Sequence, residues 1–155
     1  MLLRLTKRFT FEMAHALPHY QGKCHNIHGH SYKLYVTVEG TTEFQGCNAI
    51  IGTQAGDPSQ GMVIDFSQIK QIVEQQIISP FDHALVLPRE GSGDIGSVTT
   101  LGGYPANLIT VDFQPTTENL LLHFARLLDG KLPEGTRLHS LKLYETESSC
   151  AELIL

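Results

Sequence analysis

A chain of 155 residues, 41% of them hydrophobic and 17% charged, has the composition of an ordinary water-soluble globular domain, and its length suits a single domain spanning 1–155. The net charge of −5 and pI near 5.9 argue against a nucleic-acid partner, which calls for a basic face. No apolar run approaches the ~20 residues of a membrane span. Arg4 interrupts the apolar start Met1-Leu2-Leu3, so no signal peptide is expected. Three cysteines without a CxxC pair point to a reducing, cytoplasmic setting and no disulfide framework.

From Leu2 to about Met13, Leu3, Leu5, Phe9, Phe11 and Met13 alternate with Arg4, Thr6, Arg8, Thr10 and Glu12, the period-2 pattern of a half-buried strand. Lys7 breaks the apolar side. If the strand continues, His15 falls on the face of Phe9, Phe11 and Met13. A loop from Ala14 to Lys23 follows. Then comes Cys24-His25-Asn26-Ile27-His28-Gly29-His30, leading into a second strand that runs from His28 to Glu39. His28 and His30 share a face with Tyr32, Leu34, Val36 and Val38. Two imidazoles there are either misplaced core histidines or metal ligands. Antiparallel pairing of the strands would add His15, and three imidazoles with a vacant fourth position make a catalytic zinc arrangement. Spacing alone favours the metal site. Cys24 reads as a fourth ligand, a nucleophile, a base or simply a small buried side chain.

Thr41–Gln60 reads as a long loop or small hairpin, with Cys47 incidental. Gly61–Phe66 reads as a short apolar strand meeting a helix, with Asp65 as N-cap and Phe66, Ile69, Val73 and Ile77 as its buried stripe. Pro80 is expected to end it. The adjacent Asp82 and His83 are either a proton relay or an ordinary loop pair, and the residues alone favour the ordinary pair. Arg89–Gly103 is a Gly/Ser/Thr-rich surface loop without phosphate-loop spacing. Leu108–Phe113 reads as a short strand. Thr116 caps a second helix buried through Leu120, Leu121, Phe124, Leu127 and Leu128 and ended by Gly130. Arg137–Glu145 and Cys150–Leu155 read as strands. Glu145 either reaches solvent at a strand end or lies on an apolar face, where it needs a donor. Strands with two inserted helices predict an α+β fold, an antiparallel sheet with both helices on one face. The other face is then expected to meet a partner subunit.

Five stretches carry a resemblance. They are Phe11-Glu12-Met13-Ala14-His15, Cys24-x-x-x-His28-Gly29-His30-x-Tyr32, Gly61–Phe66, Asp82-His83, and Pro115-Thr116-Thr117-Glu118-Asn119 with Tyr144-Glu145-Thr146. Together they resemble the 6-pyruvoyl-tetrahydropterin synthase and 6-carboxytetrahydropterin synthase family. The resemblance implies the tunnelling fold: a four-stranded antiparallel sheet with two helices, closing as trimers into a β-barrel and stacking into a hexamer. It implies zinc on His15, His28 and His30, and Cys24 as the catalytic thiol. It further implies Asp82 and His83 as acid/base partners from a neighbouring subunit, Glu145 as the anchor of the pterin ring, and Thr116 and Thr117 near that pocket. The spacing from Cys24 to His28, with Ile27 where one bacterial subgroup has Glu, resembles the 6-carboxytetrahydropterin synthases of queuosine biosynthesis.

The implied reaction converts 7,8-dihydroneopterin triphosphate to 6-carboxy-5,6,7,8-tetrahydropterin with loss of acetaldehyde and triphosphate. The alternative is triphosphate elimination alone, giving the pyruvoyl product. Lys23, Lys33 and Arg8 are candidate triphosphate contacts. Thr41–Gln60 and Arg89–Ala106 are longer than in compact members, and Phe81 replaces the usual Leu. Two rivals from other classes are a zinc-hydroxide hydratase or hydrolase and a non-catalytic zinc-dependent pterin or purine binder. The presence of Cys24 counts against both, and Asp82-His83 also counts against the first.

Overall fold

The fold begins with one long antiparallel pair, β1 (Leu2–His15) and β2 (His28–Thr41), in register from Leu2 opposite Thr41 to His15 opposite His28. The structure is a computed structural model and describes residues 2–41, 61–90, 100–101 and 104–155. After β2 come helix α1 (Phe66–Val73), a π-helical segment (Glu74–Ile78) and a last turn, α2 (Ser79–Phe81). Strands β3 (Ala84–Pro88), β4 (Thr100–Leu101), β5 (Tyr104–Pro105) and β6 (Asn107–Val111) precede helix α3 (Thr117–Leu128). Strands β7 (Thr136–Tyr144) and β8 (Cys150–Ile154) complete the order. No helix among the described residues is long and apolar enough to cross a membrane.

The main sheet has six strands in the order β6-β3-β1-β2-β7-β8, not the four expected. The antiparallel four, β1, β2, β7 and β8, are present, and β3 and β6 extend them in parallel beyond β1. The physical reason is pairing. All five residues of β3 are buried and carry no alternation, and its strand state comes from lying beside Met13, Ala14 and His15. Gly61–Phe66 is not a strand. Pro80 does not itself end the helical run, which passes through the π segment and Pro80 to close at Phe81. The expected loop Thr41–Gln60, with Cys47, lies almost wholly outside the described residues, as do residues 91–99, 102 and 103 of the expected loop Arg89–Gly103. Strands β4 and β5 form a small hairpin where only loop was expected.

One face of the sheet holds the core. Phe9, Phe11 and Met13 of β1, Tyr32, Leu34, Val36 and Val38 of β2, and Leu141 and Leu143 of β7 pack beneath Ile69, Val73 and Ile77 and beneath Leu120, Leu121, Phe124 and Leu128. Truncating a fully buried ring such as Phe124 to Ala costs ~3–5 kcal/mol. Lys7, the polar intruder on this side, carries its ammonium to the Phe66 ring, 5.9 Å from the centroid. Asp65 caps α1 by accepting from the Ser67 N–H, and Thr116 caps α3 by accepting from the Asn119 N–H. Gly130, at φ +66, takes the left-handed position that closes α3.

The opposite face is polar. Thr6 pairs with Thr37, Ser31 donates to Glu12, and Lys33 meets Glu147. Any partner covering this face would therefore meet hydrogen-bonding groups rather than an exposed core. On it, Glu39 is buried under cations: Arg4 Nε donates to Oε2 at 3.1 Å, Arg137 holds Oε1, and His139 Nδ1 lies 3.2 Å from Oε2. A bulge delivers His139, since Ser140 pairs with Thr37 while Leu138 pairs with Val38.

The Arg4 hydrogen bond, then Arg137, hold the Glu39 carboxyl below its ordinary value of 4.5 despite desolvation. A lowered folded-state value means stability that is complete above 4.5 and is lost as pH falls through the lower, folded value. Glu39→Gln is expected to flatten that acid-side loss. Thermal midpoints measured from about pH 6 to about pH 3 should fall less steeply in the variant.

Candidate active site

The register of β1 and β2 sets His15 directly opposite His28 and Met13 opposite His30. All three imidazoles emerge on the helix-covered face, with ring centroids 4.6, 4.9 and 5.3 Å apart. One ring nitrogen from each lies within 4.8 Å of the other two. Gly29 between His28 and His30 lies beside the Met13 carbonyl and Ala14, where a Cβ would make ordinary contact at 3.5 Å.

The far sides of two rings are fixed. His15 Nδ1 lies 2.7 Å from the Pro115 carbonyl, and His28 Nδ1 lies 2.8 Å from the Asn26 carbonyl. A carbonyl only accepts, so both Nδ1 atoms carry the hydrogen, and a neutral ring then keeps its Nε2 lone pair free. Burial pushes His15 and His30 below the usual imidazole range, towards the neutral form. The Nε2 atoms of His28 and His30 are buried without a hydrogen-bond partner. Buried polar atoms left unpaired are costly, and lone pairs converging from three neutral imidazoles fit a cation. Backbone carbonyls behind two of the rings are the usual outer support of such a site.

Glu145, one residue beyond β7, turns its carboxylate into the same place. Its Oε1 lies 3.4 Å from His15 Nε2 and 3.7 Å from His30 Nε2. A carboxylate facing an unprotonated nitrogen sets two acceptors against each other, so the carboxylate calls for a donor from elsewhere. The Tyr32 hydroxyl also reaches this point, 3.5 Å from His15 Nε2. Burial first, then the charge and hydrogen bond of Glu145, push the Tyr32 hydroxyl far above its usual range, so it stays protonated. Tyr32 entered the sequence reading only as a core-facing residue of the motif. The signal that could have singled it out is a hydroxyl on the same strand face as His28 and His30.

Cys24 sits in the 3₁₀ turn Lys23–His25, half-buried and unpaired with another cysteine. The loop carrying it is bound to itself: Leu17 N donates to the Cys24 carbonyl at 2.8 Å, and His25 Nδ1 donates to the Pro18 carbonyl at 2.8 Å. The Tyr20 ring packs on Gly22, leaving no room for a Cβ there. The turn lies just before β2, whose first residue is His28.

Asp82 and His83 lie elsewhere. Asp82 Oδ1 accepts from the Glu12 N–H at 2.9 Å and lies 2.9 Å from His83 Nδ1. The Glu12 N–H, then the His83 ring, hold the Asp82 carboxyl below its usual range. His83 adopts φ +58, a left-handed conformation costly for a side chain with a Cβ, and its N–H donates to the Glu12 carbonyl at 2.6 Å. The Glu12 backbone thus clamps both residues of the pair. His83 lines an open cavity of about 360 Å³ with Glu12, Ala14, Gly29, His30 and Ser31.

Thr116 is spent on capping α3, and Pro115 beside it holds His15, so this segment borders the cluster. Thr117, the first residue of α3, is half-buried. Of the candidate phosphate contacts, Arg8 and Lys33 lie on the polar face, while Lys23 is exposed beside Cys24.

Residues 4–154 match the family model of 6-pyruvoyl tetrahydropterin synthase. The chain is 33% identical over 153 residues to the 6-carboxy-5,6,7,8-tetrahydropterin synthase of Haemophilus influenzae, covering 97% of this chain and 98% of that one. It is 31% identical over 130 residues to the 6-pyruvoyl tetrahydrobiopterin synthase of Homo sapiens, covering 83% of this chain and 68% of that one. The solved 6-pyruvoyl tetrahydropterin synthase of Caenorhabditis elegans shares the fold at TM-score 0.64 and 19% identity, over 100% of this chain and 96% of that one. The chain belongs to the 6-pyruvoyl tetrahydropterin synthase family.

Proposed function

We propose that this protein converts 7,8-dihydroneopterin triphosphate to 6-carboxy-5,6,7,8-tetrahydropterin, releasing acetaldehyde and triphosphate, as a zinc-dependent lyase of queuosine biosynthesis. The observation that carries the reading is the convergence of His15, His28 and His30 with Glu145, beside the loop of Cys24. The Haemophilus influenzae relative, similar over nearly the full length, supports the carboxy product.

In this reading His15, His28 and His30 hold zinc. Bound there, zinc supplies Lewis-acid polarisation of the substrate's side-chain hydroxyls. Cys24, as thiolate, takes a proton from the substrate side chain. Asp82 holds the His83 ring by its Nδ1–H, leaving Nε2 to return protons. Glu145 accepts hydrogen bonds from the amino-pyrimidine edge of the pterin, which places the side chain to be cleaved beside the cluster. Asp82 and His83 serve Cys24 of a neighbouring copy, the role that the family resemblance implies for them. A hexamer of two trimers supplies such neighbours, and the polar face would line the barrel.

Elemental analysis is expected to give near-stoichiometric zinc in the wild-type protein, and His28→Ala should lose it. Full zinc retention in His28→Ala would remove that residue from the ligand set.

Cys24→Ala is expected to keep zinc and fold while losing turnover by about 10²–10⁴. His83→Ala should do comparable damage, and the double variant should not multiply the two losses, since the groups act as a unit. Acetaldehyde, followed with a coupled dehydrogenase, should appear in step with triphosphate. Triphosphate without acetaldehyde would give the pyruvoyl product instead, the reading favoured by the likeness to the Homo sapiens relative.

Sedimentation should show the hexamer. Co-expressing Cys24→Ala with His83→Ala chains should restore part of the activity, because some mixed sites then combine an intact thiol with an intact neighbouring pair. A monomer, or no recovery from mixed hexamers, would sink the shared site.

A further inference from the structure

We infer that Tyr32 is a positioning residue: its buried hydroxyl holds the Glu145 carboxylate at the three-histidine cluster, in the orientation that presents it to the pterin edge. The inference deepens the proposed function and rests on it for the identity of the ligand.

The geometry leaves Tyr32 little freedom. It is 0% exposed. Its ring stacks on Phe11 at 5.2 Å and 11°, and meets His30 and His15 edge-on at 5.7 and 6.2 Å. The hydroxyl and Glu145 Oε1 sit on the same atom, His15 Nε2, at 3.5 and 3.4 Å. At 3.5 Å an O–H···N bond is weak, and a buried hydroxyl needs a better acceptor, which an ionised carboxylate provides.

Glu145 needs the donor just as much. Its main chain is tied by its N–H to the Ser149 carbonyl at 3.1 Å, which does not orient the carboxylate. His15 has spent its proton on Pro115, and His30 Nε2, at 3.7 Å, is beyond hydrogen-bond reach. Among the described residues, Tyr32 therefore supplies the side-chain O–H for this carboxylate. Filling the Nε2 lone pair of His15 with a metal would remove that acceptor and turn the hydroxyl toward Glu145. A carboxylate that must offer its oxygens to a planar ligand edge gains from being held in place beforehand, because the ordering cost is met before binding.

The test uses Tyr32→Phe, Glu145→Gln and the double variant in the zinc-loaded protein. Two readouts are followed: fluorescence titration with neopterin, a pterin without phosphates, and the thermal midpoint without ligand. Tyr32→Phe should keep its zinc and weaken neopterin binding about tenfold. For the full substrate it should raise KM more than it lowers kcat. In the Glu145→Gln background the same change should have little further effect on binding, and the thermal shifts of the two single variants should not add. Equal effects of Tyr32→Phe in both backgrounds, or additive thermal shifts, would overturn the inference. A wild-type protein that binds no neopterin while the thermal shifts remain coupled would uphold the Tyr32–Glu145 contact and overturn the pterin reading instead.

Discussion

The register between β1 and β2 is the constraint on which the rest depends. Side chains alternate along a strand, so slipping the pair by one residue would send one strand's histidines to the opposite face. The same register buries Phe9, Phe11 and Met13 with Tyr32, Leu34, Val36 and Val38, so core and site are fixed by one set of backbone hydrogen bonds. The cost of exposing that apolar set is what holds the histidines in place.

Around the cluster, groups from several elements meet. The start of α3 supplies the Pro115 carbonyl that sets the His15 tautomer. The loop before β2 supplies the Asn26 carbonyl for His28 and carries Cys24. The end of β7 supplies Glu145, and β2 supplies the Tyr32 hydroxyl. Acceptors outnumber donors at the centre, an arrangement that hydrophobic packing alone would not maintain. On the polar face the balance is reversed, with Glu39 enclosed by Arg4, Arg137 and His139. The sheet thus keeps an electron-rich pocket on one side and a cation-bound carboxylate on the other.

The π-helical segment and the left-handed His83 lie on the same connection between α1 and β3. The Asp82 N–H is tied to the Ile78 carbonyl at the end of that segment, and the Glu12 backbone grips both Asp82 and His83. A residue held in a costly backbone conformation by three surrounding hydrogen bonds is over-determined, as functional positions often are. In the proposed reading a second copy receives the chemistry of this pair.

The sequence by itself determined the features carried by local periodicity and spacing. Alternation marked β1 and β2, and the two-residue step of His28 and His30 placed them on the core face. Asp65 and Thr116 marked the helix starts through their capping chemistry, and family motifs pointed to the site. Tertiary structure decided what depends on distant pairing. Strand β3 is five buried residues with no pattern of their own, and it became a strand because the edge of β1 was there to pair with. The placement of Asp82 and His83 follows from the grip of Glu12, seventy positions away in sequence. The meeting of Tyr32 with Glu145 depends on β7 lying beside β2, a neighbour relation that no local pattern encodes because hydrogen bonds between strands, not residues in series, create it.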